Sequence, residues 1–156
     1  MPEDEVDRAP SLEWATPLGA LVALAVGGVA MIAAALLLGI DAPGRFLASV
    51  AAFAMFVLAG LGARQRPKLA IVRVGAAPAI AATRVRGRRV YRRDDIARIR
   101  IVRYPRLGRR VPMLEIDALD PDGVERLLIF GRWDLGEDPT VVFDALSVHG
   151  LVPAEE

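Results

Sequence analysis

Two apolar blocks lie back to back near the start of the chain, and they limit what the remainder can be. Residues 17–40 hold no charged side chain over twenty-four positions, and residues 46–63 hold none over eighteen. Only Asp41-Ala-Pro-Gly-Arg45 separates them. An α-helix rises ~1.5 Å per residue, so each block can cross, or nearly cross, a ~30 Å hydrocarbon core. Neither block has the polar face that a soluble helix pair presents to water; Leu21, Val22, Leu24, Val26 and residues 36–38 leave no room for one. The segment before them is net negative, unlike the basic start of a signal peptide, and a second block follows at once. The pattern predicts a transmembrane helical hairpin over residues 17–63. Gly19, Ala23 and Gly27 recur every fourth residue, as do Ala48 and Ala52. Small residues at that spacing let helices pack closely, either the two spans on each other or one span on a foreign helix.

Charge is laid out in blocks along the chain. Residues 1–16 hold five acids and one Arg, residues 64–110 hold sixteen Lys or Arg against two Asp, and residues 111–156 hold two Arg against eleven acids. Residues 1–16 read as an acidic N-terminal tail, disordered through Ser11, with Trp14 placed at the membrane interface. Juxtamembrane Lys and Arg stay on the cytoplasmic side, so the block after residue 63 predicts a plasma (inner) membrane protein whose two termini both face the cytoplasm. The chain has no Cys and one His, His149. Disulfides, thiolate metal sites and cysteine nucleophiles are excluded, and no cofactor is expected.

After Lys68 the periodicity changes from helix to strand. Short β-rich runs cover residues 69–74, 79–85 and 88–92, then the alternating stretches 98–104 and 111–119, then 124–130. In the alternating pair, Arg98 and Arg100 are expected to lie across from Asp117 and Glu115. Asp120-Pro-Asp-Gly123 is a turn, and the acids around it read as a solvated strand face rather than a calcium loop. Asp138-Pro139 opens a helix whose apolar stripe includes Val142, Phe143 and Leu146, ended by Gly150. No strand–helix alternation occurs, so a doubly wound sheet is not expected. The predicted fold over residues 64–156 is a small α+β PH-like domain, an antiparallel orthogonal barrel or sandwich closed by a C-terminal helix.

That order, with Arg66-Pro67 leaving the second span, Arg106-Leu-Gly-Arg-Arg-Val-Pro112, Phe130-Gly-Arg-Trp-Asp-Leu-Gly136 and Phe143-Asp-Ala-Leu146, resembles actinobacterial two-helix membrane proteins with a bacterial PH-like domain, the low molecular weight protein antigen 6 type. The resemblance covers about residues 66–151. It implies a fold and an anchored module, and no reaction. Ala76, Ala77, Ala79, Ala81 and Ala82 depart from the β-branched pattern expected there, which predicts irregular first strands. Trp133 is expected to pack where the last strand meets the helix, with Asp134 capping the turn.

No nucleophile elbow, phosphate loop or metal constellation is present in the sequence, so the protein is not expected to be an enzyme. Its chemistry lies in two arginine clusters. One comprises Arg84, Arg86, Arg88, Arg89, Arg92 and Arg93; the other comprises Arg103, Arg106, Arg109 and Arg110. These are the candidate partner- or lipid-binding residues, with Gly19, Ala23 and Gly27 the candidate helix-packing ones. The expected partners are other membrane-protein subunits and anionic lipids. Nucleic acid is not expected, because Tyr91 and Tyr104 are too few for a stacking surface. The expected role is a non-catalytic accessory or scaffold subunit of a larger membrane complex, with a respiratory cytochrome oxidase assembly the named expectation. The alternative is a free lipid- or peptide-binding module at the inner face of the plasma membrane.

Overall fold

The computed structural model describes residues 6–106, 108–120 and 122–154. They divide into two compact units, residues 16–66 and a second unit built from residues 6–15 together with 67–154. The second unit is therefore discontinuous, with the apolar hairpin inserted between its first two strands.

The hairpin comprises α1 (Leu18–Leu37) and α2 (Ala42–Arg64). Gly39 takes a left-handed backbone at φ 60°, and the Asp41 carboxylate accepts from the Gly44 N–H at 3.1 Å to start α2. Both helices are long and apolar enough to cross a membrane, with mean hydropathy 2.6 and 2.2. Most of their apolar side chains, Leu36, Leu37 and Phe53 among them, point away from the hairpin's own seam. Such surface suits lipid rather than water and associates the chain with a membrane.

The seam differs from the predicted stripe. Leu21, Gly28 and Ala35 of α1 are buried, seven residues apart, with Ala48 and Ala52 of α2. A Cβ on Gly27 would collide with Met55, one on Gly28 with Phe56, and one on Gly62 with Leu21. Gly19 and Ala23 are exposed, and nothing lies within 4 Å of a Cβ built on Gly19. A heptad spacing keeps a seam aligned between two helices, whereas every-fourth-residue positions drift off it. Of the three predicted packing residues only Gly27 meets the other helix.

In the second unit, one sheet has the order β1-β2-β3-β4 and the other β5-β6-β7. The first sheet comprises β1 (Val6–Trp14), β2 (Leu69–Val74), β3 (Ala77–Arg84) and β4 (Gly87–Arg92). The second comprises β5 (Ile96–Arg106), β6 (Arg109–Leu119) and β7 (Glu125–Phe130). A short helix α3 (Arg132–Leu135) and the C-terminal α4 (Pro139–Val148) follow. The Asp138 carboxylate caps α4 by accepting from the Thr140 N–H at 2.9 Å. This is the predicted PH-like arrangement of antiparallel sheets and a terminal helix.

Strand alternation builds the core. Leu69, Ile71, Ile80 and Tyr91 of the first sheet meet Ile99, Leu114, Ile116 and Leu128 of the second, and Val142, Leu146 and Leu151 cover them. Phe143 is only half-buried beside that stripe. The alternate residues Ala70, Val72, Ala79 and Ala81 form a second buried cluster. The Ala-rich strands are regular: β3 pairs without a shift with β2 on one side and β4 on the other.

Three further expectations are corrected. The acidic tail is not disordered in its described part: β1 pairs antiparallel with β2, with a shift between Asp7 and Leu12, while residues 1–5 lie outside the described residues. Trp14 does not sit free at the interface; it pairs with Leu69 and is 8% exposed in the core. Trp133 does not pack under the helix; it is 73% exposed, while its neighbour Leu135 takes the buried position. Asp134 does cap the turn, accepting from the Gly131 N–H at 3.0 Å.

Trp14→Ala is expected to cost about 3–5 kcal/mol and Leu146→Ala about 2–5 kcal/mol, whereas Trp133→Ala stays within about 0.5 kcal/mol. Denaturation of the full chain in detergent, followed by near-UV circular dichroism, checks the order. Equal effects of the two tryptophan substitutions would contradict the packing.

Candidate docking surface

The arginine clusters separate into side chains that hold the domain together and side chains that project from it. Asp120, 3% exposed, follows β6 and bridges the sheets. Its carboxylate accepts from Arg89 and, at 2.9 Å, from the Tyr91 hydroxyl of β4, and at 2.8 Å from Arg126 Nε of β7. Arg84 Nη2 donates to the Leu127 carbonyl at 3.3 Å, a second link between the sheets. Glu115, 2% exposed, accepts from Arg100 Nε at 2.8 Å and from the Tyr104 hydroxyl. The predicted register is present, with Arg98 opposite Asp117 and Arg100 opposite Glu115.

Glu115 and Asp120 are thus not part of a solvated face. Burial raises the Asp120 pKa, but donation from Arg126, Tyr91 and Arg89 outweighs it and holds the carboxyl below its ordinary range. Donation from Tyr104 lowers Glu115 most, against the opposing effect of burial, and Arg100 adds to it. For the Tyr91 hydroxyl, burial and its bond to Asp120 push the pKa up. The alternation of β5 and β6 already set Glu115 across from Arg100, but no sequence signal marked Asp120, which finds Arg89 and Tyr91 only when the two sheets pack. The alternation that places Tyr91 on the inner face of β4 was the one available hint.

Arg86, Arg88, Arg103, Arg106, Arg109 and Arg110 are exposed, and among the described residues none of them forms an ion pair. Arg93 is half-buried on a 3-10 turn after β4. The Arg92 backbone N–H donates to Asp95 at 2.8 Å. Two hairpins carry the projecting set. The β3–β4 turn pairs Arg84 with Gly87, whose φ of 127° few side chains tolerate, and exposes Val85 between Arg84 and Arg86. The β5–β6 ladder runs on to Arg106 opposite Arg109, whereas β7 pairs with β6 only from Leu114 to Leu119. Beyond Leu114 the hairpin is a two-stranded ribbon, and Arg103, Arg106, Arg109 and Arg110 all lie on it. Among the described residues no group of three or more His, Asp or Glu side chains is arranged to hold a metal ion.

A bacterial PH domain model matches residues 66–151, more than half of the chain. The chain belongs to the bacterial PH domain family. The match takes in β2 to β7 and α4 and leaves out β1, the strand supplied from before the hairpin. Two proteins from two strains of Mycobacterium tuberculosis, both described as uncharacterized, are each 39% identical over 140 residues. The alignment covers 88% of this chain and 92% of each relative, so it extends from the PH domain into the hairpin. No solved structure matches the chain. These comparisons bring a family and no reaction.

The two lowered carboxyls set a pH dependence. A group whose folded pKa is depressed contributes stability that is present above its unfolded value and lost as pH falls through the folded one. Thermal stability is expected to hold above about pH 5 and to fall below about pH 4 as Asp120 and Glu115 take up protons. In a variant with Asp120→Asn and Glu115→Gln, starting stability is lower and the acid-side slope shallower. Melting curves between neutral and acid pH check this, and an unchanged slope in the variant would contradict it.

Proposed function

We propose that the protein is a membrane-anchored, non-catalytic docking module that serves as an accessory or scaffold subunit of a larger membrane complex. The observation that carries this reading is the division of the arginines. Those needed for folding have buried carboxylate partners, and six others stand exposed on two projecting hairpins with no ion pair among the described residues. An acidic subunit surface is their complement. Gly19 and Ala23, outside the hairpin's seam, leave a small-residue face on α1 where a foreign helix can approach. The pairing of β1 with β2 supports a topology in which both flanks of the hairpin lie on one side of the membrane. The basic bias after residue 63 supports the cytoplasmic side of the plasma membrane. A respiratory oxidase assembly is the partner that the small-subunit layout suggests.

A second reading, lipid binding at the inner face of the membrane, draws on Val85. It is 66% exposed between two arginines, an apolar tip ringed by cations. Purification in mild detergent with mass spectrometry of co-eluting proteins separates the two. A stable partner set is expected. Arg106→Glu, Arg109→Glu and Arg110→Glu together should reduce its recovery by roughly tenfold, since exposed ion pairs are worth ~0.2–1 kcal/mol each. Gly19→Leu with Ala23→Leu should reduce recovery without unfolding the domain. A protein that runs alone before and after these changes contradicts the subunit reading and favours lipid.

A further inference from the structure

The exposed indole of Trp133 has no role in the fold, and the helix that carries it is clipped to the corner of the domain from which the chain runs to both spans. The Lys68 N–H donates to the Trp14 carbonyl at 3.0 Å, so the last residue of β1 and the residue before β2 form one corner of the domain. Trp14 is four residues from the start of α1, and Lys68 is four residues from the end of α2. Four residues reach at most about 14 Å fully extended. The stretch of chain that joins this corner to each span is therefore short. The Lys68 ammonium pairs with the Asp134 carboxylate, which also caps α3. The helix that carries Trp133 is clipped to the same corner. On that helix Leu135 is buried at 2%, while Arg132 and Trp133 are exposed.

An indole 73% exposed to water is unfavourable unless something covers it. Its amphipathic ring suits the headgroup layer, which adds roughly 5–7 Å to each side of the hydrocarbon core. Cations beside it favour anionic lipid, and Arg132 flanks Trp133 as Arg64 and Arg66 flank the span. We propose that Trp133, with Arg132 beside it, seats in the headgroup layer of the bilayer that the hairpin crosses, fixing which face of the domain lies against the membrane. This goes beyond the docking reading and rests only on the hairpin crossing a bilayer.

The test uses the full chain in nanodiscs of phosphatidylcholine and phosphatidylglycerol, with and without bromine on the acyl carbons nearest the headgroup. The chain has two tryptophans, so the difference between the unaltered protein and Trp133→Phe isolates the Trp133 emission from that of buried Trp14. Because Trp133 is exposed, the variant keeps the fold; near-UV circular dichroism verifies it. Brominated lipid is expected to quench the Trp133 emission by about twofold, and iodide quenching to be weaker in the nanodisc than in the unfolded chain. Incorporation into nanodiscs without bromine quenching, and with full access to iodide, overturns the inference and leaves the docking reading intact. Protection seen in native membranes but not in nanodiscs assigns the face to a protein partner and also overturns it. A chain that stays out of nanodiscs overturns it together with the hairpin's membrane crossing.

Discussion

The pairing of β1 with β2 is the constraint on which the rest depends. One strand precedes the apolar hairpin and the other follows it, and Trp14 opposite Leu69 closes the sheet at the point where both chain segments leave for α1 and return from α2. This makes the PH domain discontinuous: its sheet is complete only when both flanks of the hairpin meet. Backbone hydrogen bonds along β2 would otherwise end at an open edge beside a strand that is apolar on both faces, a surface prone to unwanted pairing. The hairpin is thus an insertion between two neighbouring strands rather than an anchor appended to a finished domain. The family match, which begins at residue 66, captures the domain without the strand that completes it.

Electrostatics organises the remainder. Two buried acids, Glu115 and Asp120, collect Arg100, Arg89 and Arg126 with the hydroxyls of Tyr104 and Tyr91. A buried carboxylate without such partners would be costly, so these pairs bind specific strands to each other. The arginines beyond them, on the β3–β4 turn and the β5–β6 ribbon, have no such counterpart among the described residues. The same residue type therefore does two jobs, and the presence of a buried acid decides which.

Much of this was legible in the sequence because it depends on local pattern. The apolar blocks and the Asp41-Ala-Pro-Gly turn specify the hairpin, residues 69–74 are read and observed as the same strand, and the alternation around Arg98 and Arg100 gives their cross-strand acids. What was not legible depends on partners distant in the chain. Residues 6–14 carry acids and Pro10 and lack an alternating pattern, and only β2, on the far side of the hairpin, makes them a strand. The tryptophans exchange their expected places for the same reason. Trp14 adjoins a span in the sequence, but its register opposite Leu69 turns it into the core; Trp133 follows β7, of which only Leu128 and Phe130 are buried, and Leu135 takes the buried position on its helix. Asp120 looked like a turn acid until sheet packing brought Arg89 and Tyr91 to it.

The strand before the hairpin completes the sheet after it, and a cysteine pair can measure this pairing cleanly because the chain has no cysteine of its own. Glu13 and Ala70 are Cα partners across β1 and β2, and antiparallel partners lie within the ~4.4–6.8 Å that a disulfide spans. On mild oxidation in the membrane, the full chain carrying Glu13→Cys and Ala70→Cys should form an intramolecular disulfide in high yield, whereas Glu13→Cys with Asp122→Cys should not. Equal yields from the two pairs, or no crosslink from the first, would contradict the paired sheet and with it the discontinuous domain.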